Sequence, residues 1–321
     1  MATSPRNVER LPHDRSSLLY STDEGGGPSG MLLDSIDRWT GAMLADDVAN
    51  DRIEGGFIVG RVISKQSGVV AGRFAVNRMM ERCFQSCIAS WSVEEGQMVS
   101  EGDLILSIEG PSEGVLRCER VMLNIIGRMS GIATETSEWL SSSQGFPVAC
   151  TRKTEWGLLD KWAVHVGGGL THRLNREDAL MIKENDLAVL ETEVPDESSV
   201  VAIAVNKVDF DKEASFCTVE VSDTKQAIEA AKAWSECQNR RSGKERIVLL
   251  LDNMGPSRCS EAAMELNREG LRDWCILEGS GGIEREALGE WVTQSEVDLV
   301  STSAVNMGVA PLDISMIVGG E

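Results

Sequence analysis

Between residues 147 and 304 one rhythm repeats: a short apolar run, then a stretch of helical spacing. The runs are PVACT (147–151), ALMIK (179–183), VVAIAVN (200–206), CTVEV (217–221), IVLLLDN (247–253), WCILEGSG (274–281) and VDLVSTSA (297–304). Near-continuous apolar strands belong to a sheet covered on both faces. Helical patterns fill 223–237, 256–269 and 284–294 between them. Strands alternating with helices predict an α/β fold with a parallel sheet. Six or seven such units fit an open, incomplete α/β barrel over 123–305.

The preceding residues have a different texture. Residues 1–30 end in STDEGGGPSG and read as a disordered leader. Met31, Leu32, Ile36, Trp39 and Met43 then recur at helical spacing. FIVGRVIS and GVVAGR read as strands closed by glycines, RFAVNRMMERCFQSCI as a helix, and ASWSVEEGQMVSEGDLILSIEG as short β units. Residues 31–122 therefore predict an N-terminal α+β domain. Cys118 to Leu140 reads as one long helix, and 306–321 forms a tail with an apolar PLDISMIV segment.

Charge narrows the function. The chain has 31 Lys+Arg against 51 Asp+Glu, a net charge of −20. Such a surface repels nucleic acid and anionic lipid, so neither is expected as a partner. Sparse lysine in an acidic chain suits a high-salt proteome as well as an ordinary acidic surface. No run approaches the roughly 18 apolar residues of a spanning helix, and the polar N-terminus lacks a secretory pattern, so a cytoplasmic location is expected. Eight cysteines without a CxxC pair read as reduced thiols rather than a disulfide or metal framework.

In barrels of this kind chemistry sits at the C-terminal ends of the strands. Those ends carry Thr151-Arg152-Lys153, Lys183, Glu220, Asp252 and Ser280-Gly281-Gly282. Arg120, Arg152, Lys153, Arg173 and Lys183, with His172, concentrate cations in an acidic protein. Arginine holds carboxylates bidentately and lysine acts as a point charge for phosphate. Glu220 and Asp252 suit sugar hydroxyls or Mg2+ through water, and the 280–282 turn can bring amides close to phosphate. A phosphorylated sugar and a polycarboxylate fit this set best. His165 reads as structural, His13 as part of the leader, Gly167-Gly168-Gly169 as a tight turn, and Trp234, Trp274, Trp291, Met79 and Met80 as core.

TRKTEWGLLDKWAVHVGGGLTHRLNREDALMIKEND resembles the signature stretch of the quinolinate phosphoribosyltransferase family, with TRKT, then GGG shortly before HR, then IK(D/E)N. CERVMLNIIGRMSGIAT, VEV (219–221), LLLDNM (249–254), EGSGGI (278–283) and PLDIS (311–315) follow the family's order. The likeness spans roughly residues 31 to 319. It implies an N-terminal α/β sandwich, an open barrel, and a C-terminal tail that returns to the N-terminal domain. The implied reaction joins quinolinate and phosphoribosyl pyrophosphate into nicotinate mononucleotide, pyrophosphate and carbon dioxide, with Mg2+ as cofactor.

By resemblance, Arg152, Lys153, His172, Arg173 and Lys183 would bind the quinolinate carboxylates and the phosphates, with Thr151 beside them. Arg120 would reach a partner subunit's site, making a homodimer or higher even oligomer. Lys153, Glu220 and Asp252 would be catalytic, the two acids facing ribose and Mg2+. Ser280, Gly281 and Gly282, with Thr302, Ser303 and Ala304, would hold the 5′-phosphate. The chain departs from the family at Asp186, where histidine is frequent, at Trp156, and over 303–308. Rival readings are transfer to another acid such as nicotinate, and a degenerate nucleotide-binding paralogue.

Overall fold

The computed structural model describes residues 11–22, 26–47, 55–192, 199–208 and 216–319. Contacts divide the chain into two units. A companion unit holds 15–139, 153–171 and 303–321, and a barrel unit holds 1–14, 140–152 and 172–302.

The companion unit begins with α1 (Gly30–Asp46), where the Ser29 hydroxyl accepts the Leu32 amide and Leu32, Ile36 and Thr40 are buried. Strands β1 (Phe57–Ser64), β2 (Gly68–Val69), β3 (Ile88–Trp91), β4 (Met98–Val99) and β5 (Leu104–Pro111) follow, with α2 (Arg73–Cys83) between β2 and β3. Glu95 accepts the amides of Gly72 and Arg73 at the start of α2, and the Trp162 indole N–H. Burial pushes the Glu95 carboxyl up despite those three donors. The helix predicted through CFQSCI stops at Cys83. Phe84 and Cys87 are nonetheless buried, so the apolar spacing marks core rather than more helix.

Helix α3 (Ser112–Ser142) is the spine of this unit, burying Val115, Val121, Met122, Ile125, Ile126 and Ile132 along one stripe. The expected domain boundary at 122 falls inside it, because nothing in the stretch breaks a helix; its residues through Trp139 belong to the companion unit. Helix α4 (Leu158–Val166) ends at the glycine run. A Cβ on Gly167 would strike the Ala133 carbonyl of α3, and one on Gly169 would lie 2.7 Å from the Thr136 methyl. The run is therefore both a turn and a packing surface.

In the barrel unit, β6 (Val148–Ala149), β7 (Leu180–Ile182), β8 (Cys217–Val221), β9 (Ile247–Asp252), β10 (Cys275–Ser280) and β11 (Leu299–Ser301) form one parallel sheet, ordered β6-β11-β10-β9-β8-β7. Helices α5 (Glu184–Glu191) and α6 (Val200–Asn206) follow β7, α7 (Thr224–Arg241) follows β8, α8 (Gly255–Arg268) follows β9, and α9 (Leu288–Gln294) follows β10. With β6 and β7 at its edges, the sheet is an open α/β barrel. The last strand of the chain, β12 (Ile314–Val318), pairs antiparallel with β1 in the companion unit and completes a sheet ordered β12-β1-β5-β3.

Two expectations are corrected. The run 200–206, predicted as a strand, is helix α6: the Ser199 hydroxyl accepts the Ala202 amide, and Val201, Ala204 and Val205 are buried. An unbroken apolar run fits either structure, and here the cap and the packing on α7 decide. The leader is not disordered over its described part. Ser16–Leu18 forms a short 3-10 turn, Leu19 is fully buried, and the Tyr20 ring lies 5.2 Å from Phe74 and 5.7 Å from Trp162. Residues 1–10 and 23–25 lie outside the described residues.

Six of the eight cysteines are buried. Burial pushes the thiols of Cys118, Cys259 and Cys275 up to about 12, whereas Cys83 is exposed. At about pH 8, only about one buried thiol in ten thousand is then ionised, and the thiolate is the reactive form. Ellman's reagent should label Cys83 first and reach these three only after guanidinium is added. Rapid labelling of any of the three in native protein would contradict this packing.

Candidate active site

Strand register decides which strand-end side chains share a face. Glu220 pairs with Leu250 and Leu250 with Glu278, while Asp252 pairs with Ser280. Paired residues point the same way and faces alternate along each strand. Glu220, Glu278, Asp252 and Ser280 therefore occupy one face, with Asp252 and Ser280 one step nearer the C-terminal end. Lys183, just past β7, reaches the same level: its Nζ donates to Glu220 Oε2 at 2.9 Å.

Local contacts hold these ends in place. The Lys183 amide donates to Asp186 Oδ2 at 2.9 Å. Asp186, where the family often has histidine, thus caps the start of α5. Asn253 Nδ2 donates to Asp252 Oδ2 at 2.6 Å, and the Asn253 amide donates to the Ser280 carbonyl. Gly281 and Gly282 both take positive φ, 103° and 58°, as an amide-lined turn requires. The Thr302 hydroxyl is tied to the Ile283 carbonyl and its amide to the Ala149 carbonyl. Thr151 is half-buried and Arg152 exposed just beyond β6.

Arg173 is buried, and its Nη1 donates to the Ala179 carbonyl at 3.1 Å. Burial, followed by the charges of Arg152 and Arg176, holds its guanidinium below the ordinary arginine range, while Asp186 and Glu278 oppose that shift. Mutually repelling cations gathered in this way are an arrangement that an anion relieves.

His172 is buried with both ring nitrogens engaged. Nδ1 accepts the Arg173 amide at 2.6 Å, so Nε2 carries the proton and donates to Glu278 Oε1 at 3.1 Å. His13 Nε2 donates to the other oxygen, Oε2, at 3.0 Å. The three groups lie close enough to suggest metal ligands, but a protonated Nε2 has no lone pair to offer an ion. Burial alone would raise the Glu278 carboxyl; the N–H groups of the two histidines pointing at it hold it well below the usual carboxylate range. A depressed carboxyl contributes stability above its unfolded pKa and loses it as pH falls, so Glu278 stays ionised at neutral pH.

The remaining predicted residues belong to the companion unit. Arg120 is exposed on α3, Lys153 and Ala304 are exposed, and Ser303 is half-buried. Asn306, fully buried, donates from Nδ2 to the Lys153 carbonyl at 2.8 Å, and its own amide is bonded to the Ser303 carbonyl. Arg128 grips buried Asp160 through two bonds of 2.9 and 2.8 Å and stacks over Trp156, while Asp160 Oδ2 also accepts the amides of Glu155 and Trp156. Trp156 lies 6.1 Å from Trp39, which accounts for a large residue after TRKT.

Sequence reasoning missed Glu278, His13, Asn253 and Asn306. Glu278 had a signal, a lone carboxylate inside the apolar run WCILEG. His13 had none.

Residues 47–130 match the N-terminal domain, and residues 132–317 the C-terminal domain, of quinolinate phosphoribosyl transferase. The chain belongs to this family. A probable nicotinate-nucleotide pyrophosphorylase (carboxylating) of Methanothermobacter thermautotrophicus is 35% identical over 269 residues, covering 82% of this chain and 89% of that one. The Mycobacterium leprae nicotinate-nucleotide pyrophosphorylase (carboxylating) is 31% identical over 268 residues, covering 82% and 87%. The crystal structure of NadC from Streptococcus pyogenes superposes with a TM-score of 0.74 at 28% identity, covering 89% of this chain and 97% of that one.

The Gly281 position gives a direct test. A Cβ there would lie 2.7 Å from the Asn253 amide nitrogen and would sit at φ 103°. Gly281→Ala should destabilise the protein by about 1–3 kcal/mol through overpacking and backbone strain. A thermal melt unchanged from the parent protein would show that the turn is not held as described.

Proposed function

We propose that this chain is a quinolinate phosphoribosyltransferase, joining quinolinate to phosphoribosyl pyrophosphate and releasing pyrophosphate and carbon dioxide, a step of NAD biosynthesis. The observation that carries the reading is the pair Arg152, just past β6, and Arg173, in the segment before β7, close enough to repel in a chain of net charge −20. Quinolinate brings two carboxylates to such a pair. The carboxylates Glu220 and Asp252 would repel that substrate and suit the ribose of the other.

The ring nitrogen of quinolinate attacks C1 of the phosphoribosyl group as pyrophosphate departs. Positive charge builds on the ribose, and Glu220 and Asp252 stabilise it from the shared face. Lys183 holds the Glu220 carboxylate in position. Loss of carbon dioxide from ring position 2 leaves a carbanion beside the pyridinium nitrogen, which stabilises it before protonation. Orientation by Arg152, Arg173 and Lys153 is the protein's main contribution to both steps. Ser280, Gly281, Gly282, Thr302, Ser303 and Ala304 are assigned to the 5′-phosphate, and His172 to support of Arg173.

Glu220 and Asp252 offer hard oxygen donors on one face, a set that fits Mg2+ held jointly with the cosubstrate. When bound, Mg2+ supplies charge stabilisation to the leaving pyrophosphate. Arg120 is assigned to the site of a partner subunit in a homodimer, and the enzyme to the cytoplasm. No described helix is long and apolar enough to cross a membrane.

Pyrophosphate release, measured with quinolinate and with nicotinate side by side, tests the reading. Quinolinate should support turnover with stoichiometric carbon dioxide; turnover with nicotinate alone would overturn the substrate assignment. Arg152→Ala and Arg173→Ala should each weaken quinolinate binding about 10- to 150-fold, the value of one charge-assisted pair of about 1.5–3 kcal/mol. Unchanged titration calorimetry for both variants would remove the carboxylate assignment.

The shared-site proposal has its own test. Mixing inactive Arg120→Ala and Lys153→Ala proteins should restore about a quarter of the sites once subunits exchange. Exchange confirmed by native mass spectrometry without recovered activity would place Arg120 outside a partner's site.

A further inference from the structure

The leader of this chain supplies a side chain to the barrel interior. His13 is fully buried, its ring 4.9 Å from the His172 ring at 90° and 5.4 Å from Phe216. It lies outside residues 47–317, which carry the family likeness. Nothing in the proposed reaction uses it.

The hydrogen bonds form a directed series. An ionised carboxylate only accepts, so each oxygen of Glu278 takes one Nε2–H, from His13 on one side and His172 on the other. Two donors at opposite oxygens fix the plane of the carboxylate; one donor alone leaves it free to turn about its Cγ–Cδ bond. His172 in turn sits at φ 52°, a left-handed conformation that costs a non-glycine residue energy, and its Nδ1 accepts the next amide. That amide belongs to Arg173. The ring thus holds the backbone turn from which the arginine side chain departs.

We propose that His13 is a positioning residue, acting through Glu278 and His172 to hold Arg173 in its anion-binding geometry. The inference rests on the reading of Arg173 as a quinolinate clamp. Loss of the His13 donor should loosen the grip on quinolinate and leave the handling of phosphoribosyl pyrophosphate intact, because Glu220 and Asp252 stand on other strands and the Ser280 turn is tied to the Asn253 amide.

Kinetics on the full chain provide the first test. His13→Leu keeps bulk and removes the donor; it should raise the KM for quinolinate about tenfold, the factor expected for one lost bond to a charged group. The KM for phosphoribosyl pyrophosphate should stay within about twofold. His13→Gln keeps an N–H donor and should restore the KM for quinolinate to within about threefold of the parent. Equal changes in both KM values, no change in either, or failure of glutamine to rescue would each overturn the proposal.

The second test needs neither turnover nor a variant. With only three histidines, nitrogen-15 histidine spectra of the parent protein should show His13 and His172 as Nε2–H tautomers with slowly exchanging, downfield ring protons. Absence of that signature for His13 refutes the relay even if His13→Leu fails to fold. Presence of the signature in a protein that does not use quinolinate would instead remove the substrate reading and leave the relay standing.

Discussion

Parallel pairing in fixed register is the constraint on which the barrel unit depends. The matching of Leu250 with both Glu220 and Glu278, and of Asp252 with Ser280, sends their side chains to one face. A slip of one residue in any strand would turn its polar end to the opposite side. Apolar burial of Ile247, Val248, Leu249 and Leu251 makes such a slip costly, so the same residues that form the core also aim the strand ends. Function is then a matter of which side chain stands at each end.

Charge is distributed against the background. A chain of net charge −20 that gathers Arg152, Arg173 and Arg176 creates local repulsion, partly offset by Asp186 and Glu278. Two buried carboxylates manage the cost of polar groups inside: Glu278 between two histidines, and Asp160 under Arg128 and two backbone amides. Breaking either network leaves an uncompensated buried charge, which costs about 3–5 kcal/mol. Each network fixes a neighbouring segment, the backbone at His172 in one unit and the loop after Lys153 in the other.

The alternation of apolar runs and helical spacing was enough to read the open barrel, and β8, β9, β10 and the three helices after them lie where the spacing puts them. Polar residues at strand ends were legible as well, because Lys183, Glu220, Asp252 and Ser280 directly close apolar runs. The run 200–206 was not, since seven apolar residues satisfy both periodicities and only the Ser199 cap and packing on α7 resolve them. The boundary near 122 was misplaced because helix α3 carries no breaker there.

By itself the sequence determined the fold class, the order of the elements and the residue types at the strand ends, because periodicity and turn chemistry are local. Tertiary structure alone decided which of those residues meet. His13 and Glu278 are 265 positions apart and His172 and Glu278 are 106 apart, separations at which no spacing rule operates. Their meeting depends on burying a carboxylate that only paired donors can accommodate, a condition set by the packed interior rather than by neighbouring residues.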